Sequence, residues 1–206
     1  MALGSIALQR LNREFAEIVS DKEVAETGIT LESLNDSMCN FRATIRGPPD
    51  TPYATGQFKL SVQIPDQYPF HPPIIKFTTK IWHPNISSQT GTICLDILKD
   101  QWRVVLAASM TLRSVLLSIQ MLLSSPEPND PQDAVVANQY LKNKPLFSST
   151  AVFWTQHFAE GTGPKCATFE QKIAQLLEMG AKQSDVIQTL SCNGWDVGQA
   201  TEKLFS

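Results

Sequence analysis

Nothing in this sequence pairs its cysteines. The four, at positions 39, 94, 166 and 192, fall at irregular spacings with no Cys-x-x-Cys. Neither a metal knuckle nor a disulfide framework is indicated, and a reducing compartment is expected. An excess of one charge is missing too: the formal net charge is -3, too small a field to draw nucleic acid or an anionic membrane. No apolar run is long enough to span a bilayer. The N-terminal stretch, with Arg10, Arg13, Glu14 and Glu17, lacks the apolar centre of a signal peptide, so residence in the cytoplasm or nucleus is expected. The Asn-x-Ser triplets at Asn35 and Asn85 are then not expected to carry glycans. What is present is an ordinary apolar share, 42% of 206 residues, enough for one substantial domain and a small second one.

Hydrophobic spacing predicts a helix over 5–19 with Leu8, Leu11, Phe15 and Ile18 on one face and Arg10 and Arg13 away from it. Period-two alternation then predicts strands through Ile29 and Leu31, through Cys39, Phe41, Ala43 and Ile45, and through Phe58, Leu60, Val62 and Ile64. A fourth is predicted over 74–79, giving an antiparallel meander with one buried face, Cys39 included. Between the third and fourth, Ile64 to Pro73 holds four prolines, which impose a rigid extended loop. Tyr68-Pro69 is a candidate cis bond, and Phe70 is either core or an outward anchor. Later, Leu112, Val115, Leu116, Ile119, Leu122 and Leu123 form a broad helical face, ended by Pro126 to Pro131. Helices follow over 133–142 and 145–158.

Composition changes at Glu160-Gly161-Thr162-Gly163-Pro164-Lys165, which reads as a linker over 160–167. It separates residues 1–159 from a bundle of three short helices at 168–206. Phe169, Ile173, Leu176 and Leu177 face inward on the first, with Gly180 at its end. Val186, Ile187 and Leu190 mark the second. Asp196 and Gln199 open the third, which carries Ala200 and Leu204.

The chain is organised around residues 80–102, where neither helical nor strand period holds. This segment contains His83-Pro84-Asn85, a Gly91 pivot and Cys94 between Ile93 and Leu95. Ordered irregular backbone over a core is where reactive groups sit. A cysteine there can be a nucleophile, whereas a core cysteine is inert packing.

Three motifs in order, Tyr-Pro-Phe-x-Pro-Pro at 68–73, His-Pro-Asn at 83–85 and Gly-x-Ile-Cys-Leu-Asp at 91–96, resemble those of ubiquitin-conjugating enzymes. Gly-Pro-x-Asp-Thr-Pro-Tyr at 47–53 adds to the likeness. The resemblance covers roughly 5–159, and the tail resembles a ubiquitin-associated (UBA) domain. The pair is similar to the 25-kDa, Huntingtin-interacting type, which builds polyubiquitin. The fold implied is α+β, a UBC-type domain of antiparallel meander and flanking helices plus a three-helix UBA-like bundle.

The chemistry implied is acyl transfer: Cys94 takes ubiquitin as a thioester, and a lysine amine then attacks it. Asn85 matches the family's oxyanion donor; bracing of the loop is its other reading. His83 and Pro84 are implied to hold the turn rather than to act on the thiol, and Asp96 to be structural. Asp130 matches an acidic gate that orients the incoming amine; a polar helix-ending loop is the plainer reading. Arg10, Arg13 and Phe70 match positions that dock the activating enzyme and ligases. In the tail, Met179, Gly180, Leu204 and Phe205 match ubiquitin-contacting positions, although Ala181 stands where an aromatic is usual, so weaker binding is expected. Packing against the conjugating domain is the tail's other reading.

The implied partners are ubiquitin, its activating enzyme, ligases and lysine-bearing acceptors, without nucleic acid or membrane. No cofactor is implied, since ATP is consumed by the activating enzyme upstream. After Trp102 the chain departs from the family: Arg103 to Ser109 is longer by several residues, and altered ligase choice is expected from it. Rival expectations are a non-catalytic ubiquitin-binding adaptor, or an enzyme for a ubiquitin-like modifier.

Overall fold

In the computed structural model, residues 5–34, 38–98, 102 and 110–206 are described. They form eight α-helices and a four-stranded antiparallel sheet. The elements run α1 (Ser5–Ser20), α2 (Lys22–Thr27), β1 (Ile29–Ser33), β2 (Asn40–Arg46), β3 (Gln57–Gln63) and β4 (Ile74–Phe77). Then come a 3-10 turn (Asp96–Leu98), α3 (Leu112–Ser124), α4 (Ala134–Lys142) and α5 (Lys144–Phe158). The last three helices are α6 (Ala167–Glu178), α7 (Gln183–Cys192) and α8 (Val197–Phe205). Among the described residues no helix is long and apolar enough to cross a membrane. The stretch Arg103 to Ser109, and Asn35 of the first glycosylation triplet, lie outside the described residues.

The sheet is a plain meander in the order β1-β2-β3-β4. Its register places Leu31, Ala43, Leu60 and Phe77 in one cross-strand row, and Ile29, Ile45 and Phe58 in another. All seven are buried, because a period of two delivers every apolar residue to one face once the register is set. Leu112, Val115, Leu116, Ile119, Leu122 and Leu123 of α3 are all buried and join the sheet's apolar face in one cluster, while Met121 points outward. Thr111 caps α3, accepting from Ser114 N, while the Ser114 side chain accepts from the Thr111 backbone.

Three expectations need correction. Cys39 is half-buried, just ahead of β2, and does not belong to the closed core. The fourth strand stops at Phe77, since the N–H groups of Thr78 and Thr79 both turn to the Lys59 carbonyl and leave the ladder. Leu177 lies exposed, its helix burying Phe169 and Leu176 instead.

Arg10 and Glu14 form the least anticipated feature of α1. An i, i+4 ion pair on a helix ordinarily marks a solvated surface. Here Glu14 is only 3% exposed, and its carboxylate accepts from Arg10 Nε at 2.7 Å, Tyr68 hydroxyl at 2.7 Å and Leu112 N at 3.0 Å. A charge removed from water in this way is tolerated because every side of it meets a donor, one being the N-terminus of α3. Burial first, then the neighbouring carboxylate, pushes the Tyr68 hydroxyl far above its usual range, so it remains a donor. Arg10 also donates to the Met110 carbonyl at 2.7 Å and lies over the Tyr68 ring. Arg10 is thus tied into the fold, whereas Arg13 stays exposed.

The Tyr68-Pro69 bond is cis. Trp102 Nε1 donates to the Pro69 carbonyl at 2.9 Å, so Tyr68 and Trp102 brace the loop from below. Phe70 beside them is 61% exposed. Phe70 therefore projects outward and is not core.

Residues 160–164 are laid onto the preceding core. Lys59 pairs with Glu160, Thr162 N donates to Thr55 Oγ1, and Gln156 Nε2 donates to the Pro164 carbonyl. Beyond them, α6, α7 and α8 pack onto α4 and α5. Trp195 stacks on Phe169, centroids 3.6 Å apart, with Phe153 edge-on to both. Trp154 Nε1 donates to Ser191 Oγ and Trp195 Nε1 to Thr150 Oγ1, each at 2.9 Å. Those indole donors are buried and must be satisfied, which fixes the tail's orientation on the core.

Candidate active site

Residues 83–94 form a tight double-back against the end of β4. Isolated bridges join His83 to Ile86 and Ile86 to Ile93. Gly91 turns the chain at φ +69, and a Cβ there would lie 1.9 Å from the Phe77 carbonyl oxygen. Only glycine satisfies both the left-handed backbone and that approach. The turn carries Cys94 onto the surface: its N–H donates to the Asn85 carbonyl at 2.8 Å, and the residue is half-buried.

His83 is fully buried. Its Nδ1 accepts from Asn85 N at 3.0 Å, which leaves the proton on Nε2 to be donated to the Leu122 carbonyl at 3.0 Å. Burial pulls the imidazole down to a pKa of about 3, the carbonyl only partly opposing it. A ring with both nitrogens engaged and no basicity near neutral pH cannot serve as general base. Both ring nitrogens of His83 are thus spent on hydrogen bonds to Asn85 N and the Leu122 carbonyl. Pro84, likewise buried, accepts at its carbonyl from Gln132 N and Asp133 N, both at 2.9 Å.

Asn85 sits at the centre of the site, 2% exposed. Its Nδ2 donates to the carbonyls of Glu127 and Asp130, each at 2.9 Å, and its Oδ1 accepts from Glu127 N at 2.8 Å. Both amide hydrogens are therefore committed to the loop between α3 and α4. This side chain is no free glycan acceptor.

The loop so held presents Asp130, exposed, with Oδ2 3.7 Å from Cys94 Sγ. Asp96 is exposed and starts the 3-10 turn, its Oδ1 accepting from Ile97 N at 2.7 Å. The structure thus brings together Cys94, Asn85 and Asp130, separated by up to 45 residues in sequence. Arg13 and Phe70 lie on other elements. Among the described residues no group of three or more His, Cys, Asp or Glu side chains is placed to hold a metal.

A buried amide thus ties the 127–130 loop in place beside the Cys94 thiol. The chain belongs to the ubiquitin-conjugating enzyme family: the family's profile, described as "Ubiquitin-conjugating enzyme", matches residues 10–155. Among curated relatives, human ubiquitin-conjugating enzyme E2 K is 50% identical over 204 residues, spanning 99% of this chain and 100% of that one. The Caenorhabditis elegans ubiquitin-conjugating enzyme E2 21 is 49% identical over 203 residues, 98% and 93% of the two chains. A solved structure of a putative ubiquitin-conjugating enzyme from Plasmodium yoelii superposes with TM-score 0.69 at 48% identity, covering 78% of this chain and 99% of that one. Enzymes of this family are transferases that carry ubiquitin as a thioester. They work with ubiquitin, an activating enzyme and ligases, and as a family need no cofactor of their own.

Glu14 and the tail's hydrogen-bonded contacts escaped the sequence reading. For Glu14 the one available signal was a carboxylate spaced among apolar positions of α1, next to an arginine four residues back. For the tail it was the pair Trp154 and Trp195, whose indole donors demand buried acceptors.

Proposed function

We propose that Cys94 is the residue that carries ubiquitin, and that the acceptor lysine approaches past Asp130. The observation that supports this most is the 3.7 Å approach of Asp130 Oδ2 to Cys94 Sγ on an exposed rim. A lysine amine is protonated near neutral pH and must lose that proton to attack. A carboxylate beside the thioester carbon meets the incoming ammonium, orients it and eases the transfer. Asn85, with both amide hydrogens on the loop carbonyls, favours the bracing reading: it keeps Asp130 where the amine arrives. To donate to the developing oxyanion, it would first have to release one of those carbonyls.

Asp130→Ala separates the two half-reactions. The variant is expected to charge with ubiquitin at the normal rate but to discharge to free lysine at least roughly tenfold more slowly, as read in a single-turnover chase. Discharge at the wild-type rate would remove Asp130 from the mechanism.

The acceptors we propose are ubiquitin itself, hence polyubiquitin chains, and other lysine-bearing proteins. The division into a conjugating unit, 1–159, and a UBA-like unit, 168–206, is part of the same proposal. Met179 and Phe205 are 49% and 50% exposed, which supports a free apolar surface for ubiquitin on the tail, with half-buried Leu204 beside Phe205. Gly180, at φ +93 with nothing near its Cα that a side chain would strike, ends α6 and orients that surface. Phe70 and exposed Arg13 supply the docking face; Arg10 contributes through the fold. Titrating isotope-labelled protein with ubiquitin, and separately with a ligase domain, is expected to shift Met179, Leu204 and Phe205 in the first case and Arg13 and Phe70 in the second. Shifts confined to other surfaces would reject these assignments.

A further inference from the structure

The loop carrying Asp130 is clamped at three points. Asn85 holds Glu127 and the Asp130 carbonyl; Pro84 holds Gln132 N and Asp133 N; and Ser88 holds the Asp133 side chain. The third clamp reaches into the tail. Asp133 Oδ2 accepts from Ser88 N at 3.1 Å and from Ser88 Oγ at 2.6 Å, while its Oδ1 accepts from Val136 N to cap α4. Ser88 Oγ in turn accepts from Gln188 Nε2 of α7 at 3.0 Å.

The direction of this relay follows from its members. An ionised carboxylate only accepts, so the Ser88 hydroxyl proton points at Asp133. Its lone pairs then face α7, and Gln188 must turn its amide N–H₂ toward them, not its carbonyl. Ser88 is 3% exposed, so little water is at hand to replace the tail's donor. A charge-assisted bond of 2.6 Å is strong and directional, and a hydroxyl that also accepts a hydrogen bond donates better. Asp133 lies three residues beyond Asp130, at the end of the same loop.

We infer that Gln188 of the tail is a positioning residue for lysine transfer, holding the Asp130 loop in its working geometry through Ser88 and Asp133. The inference rests on the assignment of Cys94 and Asp130 given above. On this account the tail is a remote part of the active site, whatever it binds on its outer face. Displacing the gate slightly slows only those nucleophiles that depend on being oriented and deprotonated there.

The test uses the full-length chain with Gln188→Met, which keeps the side chain's length and removes its donor, with Ser88→Ala and with the double variant. Each is charged with ubiquitin, freed of activating enzyme and chased with either free lysine or hydroxylamine. Hydroxylamine is small and already unprotonated near neutral pH, so it does not need the gate. Gln188→Met is expected to slow lysine discharge roughly three- to tenfold while hydroxylamine discharge stays within about twofold of wild type. The double variant is expected to be no slower than Ser88→Ala alone, because both substitutions break one relay.

Wild-type lysine discharge in Gln188→Met would overturn the inference. So would equal slowing of both nucleophiles, the mark of mere loosening, or additive losses in the double variant. Failure of the underlying assignment shows differently: the wild-type adduct would then survive Cys94→Ala, or Asp130→Ala would discharge normally.

Discussion

Cys94→Ala is expected to abolish charging while leaving the fold intact. The side chain is half-buried at a surface turn and contributes no part of the closed core, so its loss leaves no large cavity. What disappears is the sulfur proposed above to carry the thioester. Cys192 is turned toward Gln188, and its thiol is pushed up mainly by burial, which lowers the thiolate fraction available for attack. Circular dichroism and the thermal midpoint should match wild type, and a non-reducing gel after incubation with ubiquitin, activating enzyme and ATP should show no adduct. Cys94→Ser offers an internal check, because any adduct it forms is an oxygen ester with a poorer leaving group and should resist added thiol. Normal charging of Cys94→Ala would assign the thiol elsewhere.

Asn85→Ala is expected to slow lysine discharge at least roughly tenfold, as Asp130→Ala does, if the amide braces the loop, and by roughly a hundredfold if it is a positioned donor at the acyl-transfer centre. Charging should suffer less, since the Cys94 N–H is held by the Asn85 backbone carbonyl, which alanine retains. Alanine frees the Glu127 and Asp130 carbonyls and the Glu127 N–H together. If the amide acts as a brace, the 127–130 loop moves and the loss is shared by Asp130; combining Asn85→Ala with Asp130→Ala then adds little. If it acts as an oxyanion donor, the loop stays, hydroxylamine discharge falls as steeply as lysine discharge, and the two substitutions add. Lysine discharge at the wild-type rate would leave neither role standing.

The meander and the long helix were legible because their periods run uninterrupted. All six apolar positions read in α3 are buried, as are Phe41, Ala43, Ile45, Phe58, Leu60 and Val62. Cys39 failed at the edge of that pattern: alternation predicts which face a residue takes, but not where pairing begins, and β2 starts one residue later. Glu14 was opaque for another reason. Its partners Tyr68 and Leu112 stand 54 and 98 residues away, and a place on the apolar side of α1 near Arg10 names neither of them. The same holds for the tail, where Ser191 and Thr150 look like ordinary helix polar residues until Trp154 and Trp195 are placed against them.

At the site, the irregular spacing marked Cys94 as a candidate nucleophile, and family resemblance supplied Asn85 and Asp130. The role of Asn85 stayed open in sequence because an amide suits a brace and a donor equally. Its two committed hydrogens became visible only with the loop in place. Gln188 left no sequence signal at all, since its partner Ser88 lies 100 residues earlier.

The most direct measurement of the central claim is to map the adduct on the wild-type enzyme. After charging, the protein is digested under acidic, thiol-free conditions and the ubiquitin-modified peptide is sequenced by mass spectrometry. The account predicts one thiol-labile adduct, on the peptide containing Cys94. A thiol-resistant adduct, one on the peptides of Cys39, Cys166 or Cys192, or none at all would contradict it.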